Sequence, residues 1–283
     1  MCDRRTTFKY GIMRTAILTY HSHRVAGGDY GNNDHVALRE DFRRILVSRL
    51  PVVSLLQVVR GLLDDAPLPE RAVAFSFDDG VDLDFLDQID AVHGEQHSFC
   101  RIMADALADA RHPACAPATS FVIADPEARQ EMDRVCLQGL GRVNDNWWLS
   151  AVNSGRLLIG NHSWDHGHPA LLRYRGVPES RLRFLGVTDH AQADLQLRQA
   201  SESISRLAPN PGLAMFAYPF GNSTDYLARE YLPAFTHEHG LLGAFTTVPE
   251  IAHEGSNRWL LPRYVCGADW RSPEELEAIL RCL

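Results

Sequence analysis

Ala74-Phe75-Ser76-Phe77-Asp78-Asp79-Gly80 is an apolar run that stops abruptly at two carboxylates and a glycine. A buried strand arriving at a functional edge reads this way, with Gly80 free to take a backbone angle that other residues avoid. Downstream, Asn161-His162-Ser163-Trp164-Asp165-His166 sets two imidazoles four residues apart. One helical turn would bring such a pair within about 6 Å of each other. Two histidines and a carboxylate from another strand end make a three-ligand site for a divalent metal, with an open position for water. The pattern is that of a metal-dependent hydrolase.

The two aspartates need not share a task. Adjacent side chains diverge along an extended strand, so one can bind the metal while its neighbour faces the water. Two close carboxylates push one pKa upward, but a nearby dication keeps both ionised. Ser163 stands where the His-Glu-x-x-His of zinc proteases carries its glutamate. A base must come from elsewhere, and Asp78 is available.

At 283 residues the chain has room for one large α/β barrel or two ordinary domains, and 45% hydrophobic residues suffice for a sizeable core. A formal charge of −8 with no Lys/Arg cluster argues against a nucleic-acid partner. No stretch approaches the length of a membrane span. Residues 1–14 read as a disordered or non-native extension, with Met13 an alternative start, and no apolar core of a secretory signal precedes residues 15–283. Cys2, Cys100, Cys115, Cys136, Cys266 and Cys282 form no CxxC pair. They read as reduced thiols, so a cytoplasmic location is expected.

Short buried strands are expected at Ala16–Tyr20, Pro51–Leu55, Ala118–Ile123, Arg156–Asn161, Met215–Pro219, Leu241–Thr246 and Leu260–Val265, besides the strand that ends at Asp78. Helices fall between them: Asp34–Leu50, one capped by Ser54, one opened by Pro126, Asp189–Leu207, and one opened by Ser272-Pro273. Asp82, Asp84 and Asp87 read as favourable charge in the first turns of a helix. The stretch from Val92 to Ala118 reads as a surface excursion lining the cleft, since its His93, His97, Cys100, His112 and Cys115 match no zinc spacing. The Arg-rich segment Gly167–Gly186 reads as a solvated face. About seven or eight short strands alternating with helices, with the polar motifs at strand ends, suggest a barrel rather than a sandwich, as a single α/β domain.

Phe77-Asp78-Asp79-Gly80, His162-Ser163-x-x-His166 and Tyr218-Pro219-Phe220-Gly221 stand in the order and context of the polysaccharide deacetylase family (NodB homology, carbohydrate esterase family 4), which the chain resembles from about Thr15 onward. The resemblance implies a distorted (β/α)7-type barrel, with Asp78 as the general base, Asp79, His162 and His166 holding the metal, and Phe220 supplying a backbone N–H to the oxyanion. The metal is expected to be zinc, with cobalt or nickel as alternatives. Most of the family has its acid histidine on a late strand, and no such residue is found here. Circularly permuted members carry that strand at the N-terminus, which fits His21, with His23 as its rival. Ala217 takes the place of an arginine that orients the base in the family. Arg263 is the substitute, fixing Asp78 by a charge-assisted bond. Asp269-Trp270 resembles a further motif, but Trp270 follows the strand and a chance match is favoured. His168 could displace His166 as a ligand only against the four-residue spacing.

The expected activity is removal of N-acetyl groups from an amino-sugar glycan or its precursor. Hydrolysis of a cyclic ureide, imide, formamide or O-acetyl ester needs the same ligands, and a non-catalytic sugar-binding protein is the other class.

Overall fold

The computed structural model describes residues 13–23, 27–63, 67–111 and 115–283. Most of the expected extension over residues 1–14, with Cys2, and also His112 lie outside them. Arg14 already belongs to the first strand.

Ten strands occur among the described residues: β1 (Arg14–Tyr20), β2 (Arg71–Phe77), β3 (Gln88–Asp90), β4 (Gly94–Gln96), β5 (Ala118–Val122), β6 (Leu157–Asn161), β7 (Met215–Ala217), β8 (Gly243–Phe245), β9 (Ala252–His253) and β10 (Tyr264–Val265). The main sheet runs β10-β1-β2-β5-β6-β7-β8, every neighbouring pair parallel, while β9 adds to β1 antiparallel. Parallel strands buried on both faces need continuous apolar runs, and β1 and β2 are buried along all but their first residue. The last segment touches both edges of the sheet. Leu261 bridges Phe245 at the end of β8, and three residues later Tyr264 and Val265 pair with Leu18 and Thr19 of β1. The sheet is thereby curled into a distorted barrel within one α/β domain.

Register sets the level of the site. Tyr20 lies opposite Phe77, Phe77 opposite Ser120, Val122 opposite Asn161, and Asn161 opposite Phe216. The carboxyl ends of five neighbouring strands therefore finish together, and the residues just past them converge, as barrel enzymes arrange their chemistry.

Helices cover the outside. In α1 (Asp34–Ser48) Asn33 caps the start and Ala37, Leu38, Phe42, Ile45 and Leu46 turn inward. In α2 (Leu55–Leu62) Ser54 and Gln57 form a reciprocal capping box. α3 (Phe99–Asp109), α4 (Pro126–Cys136) and α5 (Trp148–Asn153) follow, and residues 190–207 form one helical run with a π-turn at Leu195–Gln199. None of the described helices is long and apolar enough to cross a membrane.

Three local expectations are corrected. The strand expected at Pro51–Leu55 shrinks to a single bridge between Val52 and Val73, because Ser54 already opens α2. Asp82–Asp84 is only a three-residue 3-10 turn, with Asp82 and Asp84 buried, so these carboxylates do not sit at an exposed helix start. None of the described residues between Val92 and Ala118 lines the cleft. The stretch completes the β3–β4 hairpin and then forms α3, whose Phe99 is stacked on His35 and packed against Tyr20 and Phe77.

Candidate metal and catalytic site

β2 ends at Phe77, and the chain turns at once. Asp78 donates its N–H to the Tyr20 carbonyl, Asp79 adopts φ 74° and Gly80 φ 69°. The two carboxylates separate because of this turn, not by the alternation of an extended strand. A Cβ on Gly80 would stand 2.8 Å from Cγ1 of Val122, so glycine is required by space as well as by angle.

The two histidines are not on a helix. Asn161 Oδ1 accepts the Ser163 N–H at 2.6 Å, and Ser163 Oγ accepts the His166 N–H at 2.8 Å. Ser163 (φ 76°) and His166 (φ 64°) take left-handed angles, and this tight turn sets the rings 4.8 Å apart. Non-glycine residues held there store strain, a hallmark of functional sites. Three such residues, Asp79, His166 and Phe220 (φ 56°), line one cavity.

Asp79, His162 and His166 come together as the one cluster among the described residues able to hold a metal ion, their ligand atoms within 4.8 Å of one another. Asp79 Oδ1 lies 3.5 Å from His162 Nε2 and 3.3 Å from His166 Nε2. His162 Nδ1 sits 2.9 Å from the Ala217 carbonyl. That acceptor fixes the proton on Nδ1 and leaves the Nε2 lone pair for a ligand bond. Two neutral imidazoles and a carboxylate suit a borderline divalent cation such as zinc. His168 lines the cavity but stays out of the cluster, its Nδ1 accepting the Ala170 N–H at 3.1 Å.

Asp78 faces a different partner. Arg263, wholly buried, forks onto it with Nη1–Oδ1 and Nη2–Oδ2 both at 2.8 Å. The guanidinium is itself fixed: Nε donates to the Thr246 carbonyl at 2.9 Å, and Nη1 reaches Ser76 Oγ at 3.2 Å. Burial alone would raise both aspartates. The Arg263 charge and its hydrogen bonds outweigh it and hold Asp78 below the usual carboxylate range. Contacts from His162, His166 and His23 push Asp79 further down. Both are ionised at neutral pH.

His21 and His23 leave the end of β1 and line the same cavity, with rings 5.2 Å apart. Burial lowers the His21 pKa, only partly offset by Asp79. His23 makes the nearer contact, its Nε2 2.7 Å from Asp79 Oδ2, the oxygen turned away from the histidine pair. Phe220 lies in the Tyr-Pro-Phe-Gly turn, its ring 4.6 Å from that of His166 and 5.8 Å from that of His168. Gly221 beside it has φ 69°, and a Cβ there would meet Thr247 Oγ1 at 2.0 Å. Asp269 lines the cavity and accepts the Val265 N–H, whereas Trp270 is buried and donates to Asp41 at 3.1 Å. In the Arg-rich segment, Arg183 stands over Phe220 at 5.9 Å.

Sequence reasoning did not find Asp84. It is fully buried and bridges Ser22 Oγ and Ser120 Oγ, both at 2.6 Å, so it ties the His21-Ser22-His23 segment to β5. Burial raises its pKa to about 8. Its spacing from Asp82 and Asp87 resembles any acidic helix start, and no local signal marks it out.

No protein-family model and no curated protein matches the sequence. Solved structures do share the fold. The Streptococcus pyogenes deacetylase PplD in complex with acetate superposes with TM-score 0.62 at 16% identity, covering 95% of this chain and 99% of that one. IcaB from Ammonifex degensii gives 0.61 at 16%, covering 95% and 96%. A de-N-acetylase from Aggregatibacter actinomycetemcomitans gives 0.60 at 17%, covering 94% and 99%. These deacetylases thus share the fold over nearly the whole of this chain.

Proposed function

We propose that the protein is a metal-dependent de-N-acetylase acting on an amino sugar within a glycan or glycan precursor. One observation carries the reading: a carboxylate pinned by a buried arginine stands next in sequence to the carboxylate of a two-histidine cluster. A structural metal site needs ligands but no held, ionised neighbour. The deacetylase folds that this chain resembles, a polysaccharide deacetylase among them, support an acetylated sugar as substrate.

Asp79, His162 and His166 would hold the ion, with zinc the best match to the donor set and cobalt or nickel as alternatives. Such an ion polarises an amide carbonyl and lowers the pKa of water. Asp78 then takes the proton from the attacking water. Arg263 keeps that carboxylate aimed and ionised until it does. The N–H of Phe220 is the candidate donor to the developing oxyanion. His21 returns a proton to the departing amine, and His23 steadies Asp79 through its second oxygen.

Purified protein loaded with zinc, cobalt or nickel is assayed for acetate release from N-acetylated and O-acetylated sugars. N-acetyl hydrolysis abolished by chelation is the expected result, with about one ion bound per chain. Asp78→Asn should be inactive and retain the ion. Loss of metal from Asp78→Asn would reverse the two aspartate roles, and activity confined to esters would change the substrate.

A further inference from the structure

The cavity holds about 540 Å3, and part of its lining has no task in the reaction just described. Val81, Met132, Leu137 and Val143 line it without a single hydrogen-bonding side chain among them. Val81 follows the Asp78-Asp79-Gly80 turn directly, so this wall begins next to the metal-binding cluster. Val81 and Val143 pack with Leu83 and Leu137 in one apolar group, while Met132 projects from α4 and packs with Ile123, Ala128 and Leu171.

The wall is held in shape before any ligand arrives. Buried Asp133 of α4 collects the loop that follows it, accepting N–H groups from Gly141 at 2.8 Å, Arg142 at 2.6 Å and Val143 at 3.3 Å. Its own carbonyl accepts from Leu137 and Gly139. Asp82 N–H donates to the Arg142 carbonyl at 2.9 Å, joining the loop to the segment that carries Val81. Val135 and Leu140, neighbours of the wall along the chain, are 47% and 59% exposed. An acetyl group offers one methyl to such a surface. A sugar ring laid on it would leave hydroxyls facing apolar carbon, at a cost of roughly 1–3 kcal/mol for each left unpaired. Asp269, Thr247 and His168 line the same cavity and supply polar partners for the sugar.

We propose that Val81, Met132, Leu137 and Val143 form a subsite for the acyl chain of an N-acyl amino sugar, and that it favours chains longer than acetyl. The inference rests on the amide-hydrolysis reading. Water adds across the C–N bond, the carbonyl carbon leaves as a carboxylic acid with its chain on the wall, and the nitrogen leaves as the amine with the transferred proton.

Two measurements on zinc-loaded protein test it. Calorimetry with acetate, butyrate and hexanoate should show affinity rising about fourfold for each CH2 buried, and Leu137→Asn and Val143→Asn should each flatten that dependence. Hydrolysis of N-acetyl-, N-butyryl- and N-hexanoylglucosamine should rise in kcat/KM in the same order. Affinity independent of chain length overturns the subsite. So does a gain with octyl N-acetylglucosaminide that the acyl series lacks, since the wall would then serve the aglycone. Chain-dependent binding of the acids with no amide hydrolysed would leave the subsite standing and remove the deacetylase reading.

Discussion

Asp78 and Arg263, 185 residues apart in sequence, meet in the barrel through two parallel hydrogen bonds of 2.8 Å, both side chains almost wholly shielded from water. Removing one member of a buried pair leaves an uncompensated charge and costs about 3–5 kcal/mol. Arg263→Ala should therefore lower stability by that order in denaturant titration. Arg263→Lys keeps the charge but loses the fork, and kcat should fall by about tenfold or more with zinc content unchanged. Equal activity in Arg263→Lys would show that charge alone matters.

The depressed pKa of Asp78 gives this pair a pH signature. A carboxylate whose folded-state pKa lies below its unfolded value contributes stability above the unfolded value, near 4. That contribution is lost as pH falls through the folded value. The stability gap between wild type and Asp78→Asn should be full at pH 7 and shrink below about pH 4. Chemical denaturation from pH 3 to 7 measures it, and a gap that widens toward acid would contradict the assignment.

Asp84 carries the opposite sign. Burial lifts its folded-state pKa to about 8, above the usual carboxylate value near 4, so the folded protein keeps a proton that the unfolded chain gives up. Stability is full below pH 4 and falls as pH rises toward 8, at up to about 1.4 kcal/mol per pH unit. Asp84→Asn retains one donor and one acceptor for Ser22 and Ser120 and should remove that slope. Melting temperatures of both proteins at pH 5 and pH 8 decide it: the variant should gain on wild type at the higher pH.

His21 and His23 should separate by experiment. His23 touches the proposed ligand Asp79, so His23→Ala should weaken zinc binding several-fold in chelator competition, as losses of residues that orient a ligand do. His21→Ala should leave zinc affinity intact and lower kcat by about 100-fold. The reverse outcome would exchange the two roles.

Gly80→Ala forces a Cβ to within 2.8 Å of Val122 at φ 69°. A strained left-handed residue costs about 1–3 kcal/mol, and relief requires the Asp78-Asp79 turn to move. Both melting temperature and zinc affinity should fall. A drop in stability alone would show that the turn tolerates the shift.

Much of this arrangement was legible in the sequence because strand ends announce themselves. Apolar runs stopping at Asp78, Asn161 and Tyr218 fixed which residues reach the cavity, and Arg263 was readable as the partner of Asp78 once Ala217 left that role vacant. The His162–His166 spacing suggested a helical turn, yet side chains of Asn161 and Ser163 build a left-handed one, and hydrogen bonds from polar side chains to local backbone leave no periodicity to read. Asp84 was missed because burial depends on what packs over a residue, here Ser22 and Ser120 from distant segments. Met132, Leu137 and Val143 look in sequence like any core-facing positions of a helix and its following loop. Only the tertiary arrangement exposes them to a cavity.

The closing segment at Leu261–Val265 also sets the order in which competence arrives. A polypeptide halted anywhere between residues 167 and 262 already carries every side chain of the proposed metal cluster, but its Asp78 has no guanidinium to receive it. The segment that joins the two edges of the sheet is thus also the one that aims the base.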